Sequence, residues 1–498
     1  MKSSNIIIAF WAIGVLNNIP YVVMLAGAKS ISEGGTALVF LASIMPGFFM
    51  KLSSPYWFDK VSYLNRMRMC SVLMALSFTF VATFSYLGQQ QRQQHESDSS
   101  SNSNKGLGFN VLMQLLGVAF CSAQGDMGEA TLLALSGRAD SIITNEKMQR
   151  RYTSNNENEN GNGNGNDNHK PKSVCITAFA SGTGLAGPLG FAFIVIVTKV
   201  FDLSLTAALL IALAFPVCYL AVFNKYLFEF ADGSGSISGS CLNEADTSID
   251  SSNDNNYDYE DESAAFLNDV GDGDGGEHQL SSFEISSDKE QDYEDGGSTA
   301  GAISSTSTST TGISKMSFKE RLKLTISLWP YMVPLFVVYA AEYALQSGVW
   351  TAIGFPVDAE EARNSFYTNS NWAYQVGVFI SRSSGAFWIA PMWVLWLMPL
   401  LQCVNLVFFY FVAVYHFWYN DLLLVVCFYV GLLGGSVYVN GYMRINKDLP
   451  LAKREFALST VSVADSLGIV FADLSGLFIQ SCLYESNGIS GSVVSCPI

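Results

Sequence analysis

Long apolar runs separated by polar segments recur along the chain, and this pattern sets its fold class. A run of about twenty apolar residues crosses a hydrocarbon core of roughly 30 Å as one helix. The pattern predicts an all-α polytopic membrane protein with about 11 transmembrane helices, at about residues 5–28, 35–54, 69–89, 107–136, 174–198, 203–224, 326–350, 366–383, 392–415, 421–443 and 456–482. Arg382 and Pro391 interrupt the stretch that holds the eighth and ninth helices.

Three polar segments separate some of these runs. Residues 90–105 are rich in Gln, Ser and Asn, residues 139–172 contain an Asn-Gly repeat, and residues 229–325 are rich in Ser, Asp, Glu and Gly. Such compositions cannot bury enough apolar surface to offset the entropy of ordering. All three segments are therefore predicted to be disordered loops.

The longest polar segment, residues 229–325, divides the predicted helices into two bundles. An N-terminal six-helix bundle spans residues 1–228, and a C-terminal five-helix bundle spans residues 326–483, followed by a tail at 484–498. Two helix bundles joined by a long central loop are typical of a transporter whose substrate site lies between them.

The composition agrees with a membrane protein. Apolar residues make up 49% of the 498 residues and charged residues 14%, about half the charged fraction of a typical soluble domain. The formal net charge of −16 comes from one segment, because residues 231–312 hold nineteen Asp or Glu and a single basic residue, Lys289. The acidity therefore indicates nothing about a substrate, and we expect the lipid bilayer rather than nucleic acid as the surrounding partner.

Lys and Arg are distributed unequally between the predicted loops. With the N-terminus in the cytosol, 22 of them fall on the cytosolic side, including the four within residues 51–68, and 5 fall on the opposite side. Because positive residues are retained in the cytosol, we predict a cytosolic N-terminus and central loop and a lumenal C-terminus. Near that terminus, Cys482 and Cys496 either form a disulfide or remain two free thiols.

Enzyme motifs are weak along the chain. Gly182-Thr-Gly184-Leu-Ala-Gly187 matches GxGxxG, but it lies inside an apolar helix instead of after a strand. Small residues in a membrane helix let a neighbouring backbone approach closely, and this is the predicted role of the motif. The four histidines lie in loops or at a helix end without metal-ligand spacing. We therefore expect no enzyme activity, no metal and no cofactor.

Polar side chains inside the predicted helices are the candidate functional residues, because charged groups at membrane depth are costly. They recur at spacings of three and four residues and so form stripes on single helix faces. The stripes either converge on a central polar cavity or hold the bundle together through interhelical hydrogen bonds. The candidate substrate or ion pathway comprises Asn17, Asn18, Tyr21, Gln124, Glu129, Tyr339, Glu342, Tyr343, Gln346, Gln375, Arg382 and Asp465.

Three of these candidates are carboxylates, namely Glu129, Glu342 and Asp465. A buried carboxylate either carries a proton or pairs with a buried cation. Arg382 is the candidate partner, or else it binds an anionic group of a substrate.

Seven blocks in the membrane segments resemble the battenin family, in the same order along the chain. They are FWAIGVLNNIPYVVMLAGA (10–28), FASGTGLAGPLG (179–190), VPLFVVYAAEY (333–343), YQVGVFISRSS (374–384), LLQCVNLVFF (400–409), GLLGGSVYVN (431–440) and REFALSTVSVADSLGI (454–469). The human member of this family is lost in juvenile neuronal ceroid lipofuscinosis. The Asn-rich and acidic insertions suggest a fungal or protist member.

The resemblance implies a fold distantly related to the major facilitator superfamily and a place in a vacuolar or lysosomal membrane. It implies export of a small polar solute, such as a glycerophosphodiester or a basic amino acid, by alternating access, with proton coupling as an option. Vacuolar pH and amino acid homeostasis would depend on this activity. By position in the blocks, the family's intramembrane polar sites match Asn17, Asn18, Tyr21, Glu129, Glu342, Arg382 and Asp465.

A second function remains open from the sequence. The chain is alternatively a non-transporting membrane regulator of vacuolar pH and vesicle trafficking. It would then act by recruiting trafficking or proton-pump regulators to its cytosolic central loop.

Overall fold

Long α-helices form most of the described chain, because a backbone in lipid must satisfy its hydrogen bonds within the segment. No β-strand occurs within the described residues. The computed structural model describes residues 3–26, 36–97, 104–156, 173–231, 317–490, 492 and 494–497.

The helices before the central segment begin with α1 (Ser3–Ala26), α2 (Thr36–Trp57), α3 (Tyr63–Ser97), α4 (Asn104–Asn156) and α5 (Val174–Val195). A π-helical turn at Ile196–Val200 extends α5. The next apolar segment, Leu205–Ala231, consists of α6 (Leu205–Ile211), α7 (Ala214–Val222), a π-helical turn and α8 (Phe228–Ala231).

The helices after the central segment are α9 (Phe318–Ser327), α10 (Trp329–Ala344), α11 (Glu360–Ser383), α12 (Met392–Tyr415), α13 (Leu423–Asp448) and α14 (Leu451–Ser486). A π-helical turn at Leu345–Val349 extends α10. Cys482 of α14 is joined to Cys496 by a disulfide bond, which was one of the two alternatives that the sequence left open.

Eight helical segments of the described chain are long and apolar enough to span a membrane. The predicted class, an all-α polytopic membrane protein, is confirmed. The three other predicted spans correspond to α2, α4 and α11, which form helices at the expected places but carry Lys51, Glu129 and Arg382. The count of eleven stays a prediction, since composition alone does not assign these three helices to the membrane.

Two predicted loops are partly helical. α3 continues through residues 90–97, where the Gln91 side chain accepts a hydrogen bond from Asn110 Nδ2 of α4 at 2.9 Å. α4 includes residues 104–105 at its start and 139–156 at its end. The remainder of the predicted loops 90–105 and 139–172 lies outside the described residues.

Asp140 stabilises the part of α4 that extends beyond the predicted span. The Asp140 carboxylate accepts hydrogen bonds from the backbone N–H groups of Cys175 (2.8 Å) and Ile176 (3.2 Å). These N–H groups belong to the first turn of α5, where a helix has no internal acceptors for them. Asp140 therefore ties the two helices together beyond the predicted end of the span.

The central loop predicted at 229–325 is also shorter at both ends. Residues 229–231 belong to α8, and residues 318–325 belong to α9. α9 begins at a capping box formed by Ser317 and Glu320, in which the Glu320 carboxylate accepts from the Ser317 backbone N–H at 2.7 Å. This Ser-x-x-Glu signal was available in the sequence. The rest of the segment lies outside the described residues.

Helix packing joins the two halves of the chain through two main interfaces. α2 and α4 of the first half contact α14, and α5 contacts α11. Within the first half α1 packs along α5, and a Cβ added at Gly182 would overlap the Trp11 carbonyl group. The predicted role of the GxGxxG motif, close approach of a neighbouring helix, is therefore confirmed.

Candidate functional site

A buried ammonium group and three carboxylates form the centre of the candidate site. Lys51 Nζ on α2 lies 2.6 Å from Glu129 Oε2 and 3.2 Å from Asp126 Oδ1, both on α4, and 2.9 Å from Asp465 Oδ1 on α14. The Lys51 side chain is only 1% exposed, so these ion pairs are shielded from water. We call these four residues the Lys51 cluster. One positive and three negative groups leave a negative excess when all are ionised, which favours a further proton or cation.

Hydroxyl groups of α13 complete the Lys51 cluster. The Tyr438 hydroxyl donates a hydrogen bond to Glu129 Oε1, and the Tyr442 hydroxyl lies 3.5 Å from Asp465 Oδ2. The backbone N–H of Ser466 donates to Asp465 Oδ1 at 2.6 Å. The cluster therefore joins α2 and α4 of the first half to α13 and α14 of the second.

Lys51 was not among the predicted site residues, because from the sequence it counted only as a positive charge on the cytosolic side. Lys51 lies inside α2, as the predicted span at 35–54 implies, and its side chain is buried in the protein. A lysine near the end of an apolar run resembles a loop charge, because a sequence does not show which helices face it. The sequence did contain a signal for a buried lysine, namely the surplus of carboxylates at membrane depth. Buried carboxylates require either a cation or protons.

Arg382 of α11 lies beside the Lys51 cluster without an ion pair to it. Its Nη1 donates to Thr183 Oγ1 of α5 at 2.6 Å, and its Nη2 donates to the Tyr339 hydroxyl of α10 at 2.9 Å. Its guanidinium carbon lies 4.0 Å from the centroid of the Tyr438 ring, a cation–π contact. Tyr438 thus touches both Arg382 and Glu129.

Among the described residues Arg382 is not paired directly with a buried carboxylate, which was the first of the two alternatives for this residue. None of the ion pairs among the described residues includes Arg382, and its Nε–H has no hydrogen-bond partner there. The cation that lies between Glu129 and Asp465 is Lys51. The other interpretation, a subsite for an anionic group, is compatible with the neutral partners of Arg382.

Glu342 of α10 is buried, and the ion pairs among the described residues include none between it and either of these cations. Its exposed fraction is 1%. Oε1 accepts a hydrogen bond from the Tyr374 hydroxyl of α11 at 3.0 Å, and Oε2 has no hydrogen-bond partner among the described residues. The carboxyl group lies against Gly434 of α13, where an added Cβ would overlap Oε2.

Other polar side chains also lie over a glycine of a facing helix. In each case a Cβ added to the glycine would overlap the polar group, so the missing side chain makes room for it. Such pairs include Gly47 with Asp126, Gly128 with Asn17, Gly187 with Gln375, Gly435 with Ser381, and Gly476 with Ser347.

The polar stripe of α1 forms a separate amide network within the first half. Asn17 Nδ2 donates to Asn18 Oδ1 and to the Gly125 carbonyl, both at 3.0 Å. Asn17 Oδ1 accepts from Gln124 Nε2 at 3.2 Å and from the Tyr219 hydroxyl of α7 at 3.0 Å. These contacts hold α1, α4 and α7 together. For Asn17, Asn18 and Gln124 they correspond to the second alternative from the sequence, interhelical hydrogen bonds that stabilise the bundle.

The remaining predicted residues lie at the edge of this arrangement. The rings of Tyr339 and Tyr343 stack with centroids 6.0 Å apart. Gln346 donates to the backbone carbonyl of Glu342 at 3.3 Å, and Tyr21 on α1 is partly buried. Glu129, Asp465, Arg382 and Tyr339 are therefore linked into one group, through Lys51 and Tyr438.

Gly434→Ala is expected to lower the free energy of unfolding by ~1–3 kcal/mol, the usual cost of overpacking a buried site. The added methyl group would displace the Glu342 carboxyl. Gly441→Ala on the same helix is the matched control, because its added Cβ meets only Leu335 Cδ1 at 3.5 Å. Melting of both purified variants in detergent micelles measures the difference, and equal melting would contradict the tight fit at Gly434.

Sequence comparison finds relatives of nearly the same length. Residues 8–144 and 167–486 match the sequence model of a family described as CLN3 protein. Protein btn-1 of Neurospora crassa is 29% identical over 481 residues, which cover 95% of this chain and 87% of the relative. Protein BTN1 of Yarrowia lipolytica is 28% identical over 491 residues, with 96% and 95% covered. Protein BTN1 of Saccharomyces cerevisiae is 26% identical over 502 residues, with 96% and 95% covered.

Structure comparison finds solved transporters that align along nearly the whole chain, among them the following two. A bacterial homologue of the iron transporter ferroportin, in an outward-facing state, shares 12% identity with a TM-score of 0.46. The alignment covers 98% of this chain and 96% of the homologue's chain. The major facilitator superfamily transporter FucP, in the outward conformation, shares 12% identity with a TM-score of 0.47, covering 97% of each chain.

Proposed function

The chain belongs to the CLN3 protein family, the battenin family of its sequence blocks, and from this we propose that it is a membrane transporter of a small polar solute. The observation that carries the proposal is the buried charged network between the two halves. Lys51 of α2 binds Asp465 of α14, and Arg382 of α11 donates to Thr183 of α5. Ionisable groups at membrane depth mark substrate and ion pathways, and alternating access requires contacts between the halves that form and break.

Arg382 is the proposed subsite for an anionic group of the solute. Its guanidinium has five N–H donors in a planar fork, of which two donate to the hydroxyls of Thr183 and Tyr339. These partners are neutral, so they do not neutralise the positive charge. A phosphodiester or a carboxylate matches the fork and supplies the missing negative charge.

Asp126 is the proposed subsite for a cationic group of the same solute. It is the most exposed carboxylate of the Lys51 cluster, at 22%, against 12% for Glu129 and 3% for Asp465. A positive group there would offset the negative excess of the cluster. One subsite for an anionic group and one for a cationic group favour a solute that carries both charges. A glycerophosphodiester with an amino head group and a basic amino acid are such solutes.

The family membership also supports a location and a direction for this transport. We place the protein in a vacuolar or lysosomal membrane with its N-terminus in the cytosol. Export of the solute from the lumen would then contribute to vacuolar pH and amino acid homeostasis. The alternative, a non-transporting regulator, depends on residues 229–325, most of which lie outside the described residues, and no described contact favours it.

Flux through purified protein in liposomes tests the proposal. Liposomes loaded with glycerophosphodiesters or with basic amino acids are expected to release one of these classes faster than protein-free liposomes. The release should saturate with solute concentration, because transport through a binding site is limited by the number of sites. A neutral sugar of similar size serves as the control solute. Folded protein that moves none of these solutes would contradict transport and favour the regulator.

A further inference from the structure

We propose that Glu342 is a proton-binding site, which is protonated in this conformation and exchanges its proton only when the surrounding helices separate. The proposal deepens the transport function above by naming the coupling ion and the group that carries it. The first experiment below measures protonation without measuring transport. The proton site and the transport function can therefore fail independently.

The surroundings of the carboxyl group carry the inference. Glu342 is 1% exposed, and its only hydrogen bond among the described residues comes from the neutral Tyr374 hydroxyl to Oε1. Oε2 has no partner in that part of the chain. An ionised carboxylate needs water, a cation or several donors, and without them it takes up a proton. One hydroxyl and one unpartnered oxygen do not meet that requirement.

Charged groups nearby are already committed to other partners. Arg382 lies on the same helix as Tyr374 but donates to Thr183 and Tyr339. Lys51 is surrounded by the carboxylates of its own cluster. The titratable groups that interact with Glu342 are Tyr339 and Tyr343 on α10 and Tyr374 and Arg382 on α11. The carboxylates of α14 lie beyond them, with Asp465 facing Tyr339 and Asp473 facing Tyr343. Arg382 is the one cation among them.

The fit of the carboxyl group identifies the ligand as a proton. Oε2 lies so close to Gly434 that even a methyl group would overlap it. A sodium ion or an amine would need several oxygen ligands around it, and the described contacts supply one carboxyl and one hydroxyl. A proton needs no additional volume, and it removes the charge that burial disfavours.

The Lys51 cluster differs from Glu342 in the way its charge is compensated. There an ammonium group lies within 3.2 Å of three carboxylates, which favours the ionised form of at least one of them. At Glu342 no ammonium or guanidinium group of the described residues lies within ion-pair distance. The two places therefore have separate roles, ion pairing between the halves at Lys51 and proton storage at Glu342.

Infrared spectroscopy of protein labelled with ¹³C at the Glu carboxyl carbons tests the protonation directly. At neutral pH the wild-type protein is expected to show a carbonyl-stretch band of a protonated, labelled carboxylic acid. Glu342→Gln should lose this band, whereas Glu129→Gln should retain it. If Glu342→Gln does not fold, Glu342→Asp replaces the labelled carboxyl with an unlabelled one and should also remove the band. A band that survives the loss of the Glu342 label would overturn the proposal.

Flux in liposomes then tests whether this proton is coupled to solute movement. A pH gradient is expected to accelerate net solute flux several-fold in the wild-type protein. Glu342→Gln should make flux independent of the gradient while solute exchange continues, because glutamine mimics the protonated state permanently. A gradient response that persists in this variant would overturn the coupling role. Absence of flux in the wild-type protein would instead overturn transport and leave the infrared result unaffected.

Discussion

Lys51→Met is expected to lower the free energy of unfolding by ~3–5 kcal/mol, the usual cost of removing one partner from a buried ion pair. The substitution leaves Asp126, Glu129 and Asp465 without their shared ammonium group. Methionine is also unbranched and flexible, so the packing of the aliphatic stem is largely kept. Equilibrium unfolding in detergent micelles at neutral pH measures the loss.

Two comparisons identify the cause of that loss. Lys60→Met removes the same charge from an exposed position after α2 and is expected to change stability little. The deficit of Lys51→Met should shrink at acidic pH, because protonation then neutralises the carboxylates that have lost their cation. Combining it with Asp465→Asn should likewise recover part of the stability. Equal effects of Lys51→Met and Lys60→Met would contradict the buried cluster.

Arg382→Gln is expected to raise the KM for solute transport about 30-fold or more. Truncating one partner of a buried charge pair costs ~2–5 kcal/mol, and 2 kcal/mol corresponds to roughly 30-fold in affinity. Arg382→Lys should be intermediate, because it keeps the charge but loses the planar fork and the stacking on Tyr438. Initial rates of solute flux in liposomes, measured over a range of concentrations, give KM and the maximal rate.

Arg444→Gln is the matched control for this experiment. Arg444 pairs with Asp448 one turn further along α13, with Nε 3.1 Å from Oδ2, away from the contacts of Arg382. Its loss removes a guanidinium group and is expected to leave KM unchanged. A wild-type KM in Arg382→Gln would contradict the anionic subsite, provided that both variants melt like the wild-type protein.

The positions of the helices were predictable from the sequence, since each apolar run must close its hydrogen bonds within itself. The helix ends were less predictable. α3 and α4 continue into polar residues because Gln91 and Asp140 find partners on other helices. Those partners are distant in sequence, so local composition indicated loops.

The polar residues of the site were predictable as a set, but their pairing was not. Spacing places Tyr339 and Glu342 on one face of α10, yet it does not show that Tyr339 meets Arg382 whereas Glu342 meets Tyr374. Lys51 was missed for the same reason, because its partners lie on α4 and α14. Which helix face turns toward which neighbour depends on tertiary packing, and one sequence carries little information about it.

Several glycines leave space for a polar side chain of a facing helix, and this affects how sequence variation in the family is interpreted. Gly434 and Glu342, or Gly47 and Asp126, occupy one volume between two helices. A larger residue at the glycine therefore requires a smaller or differently placed residue at its partner. Across relatives, substitutions at the two positions of each pair should therefore be correlated. The glycines, which have no side-chain chemistry of their own, would then mark the outline of the site as clearly as its charges do.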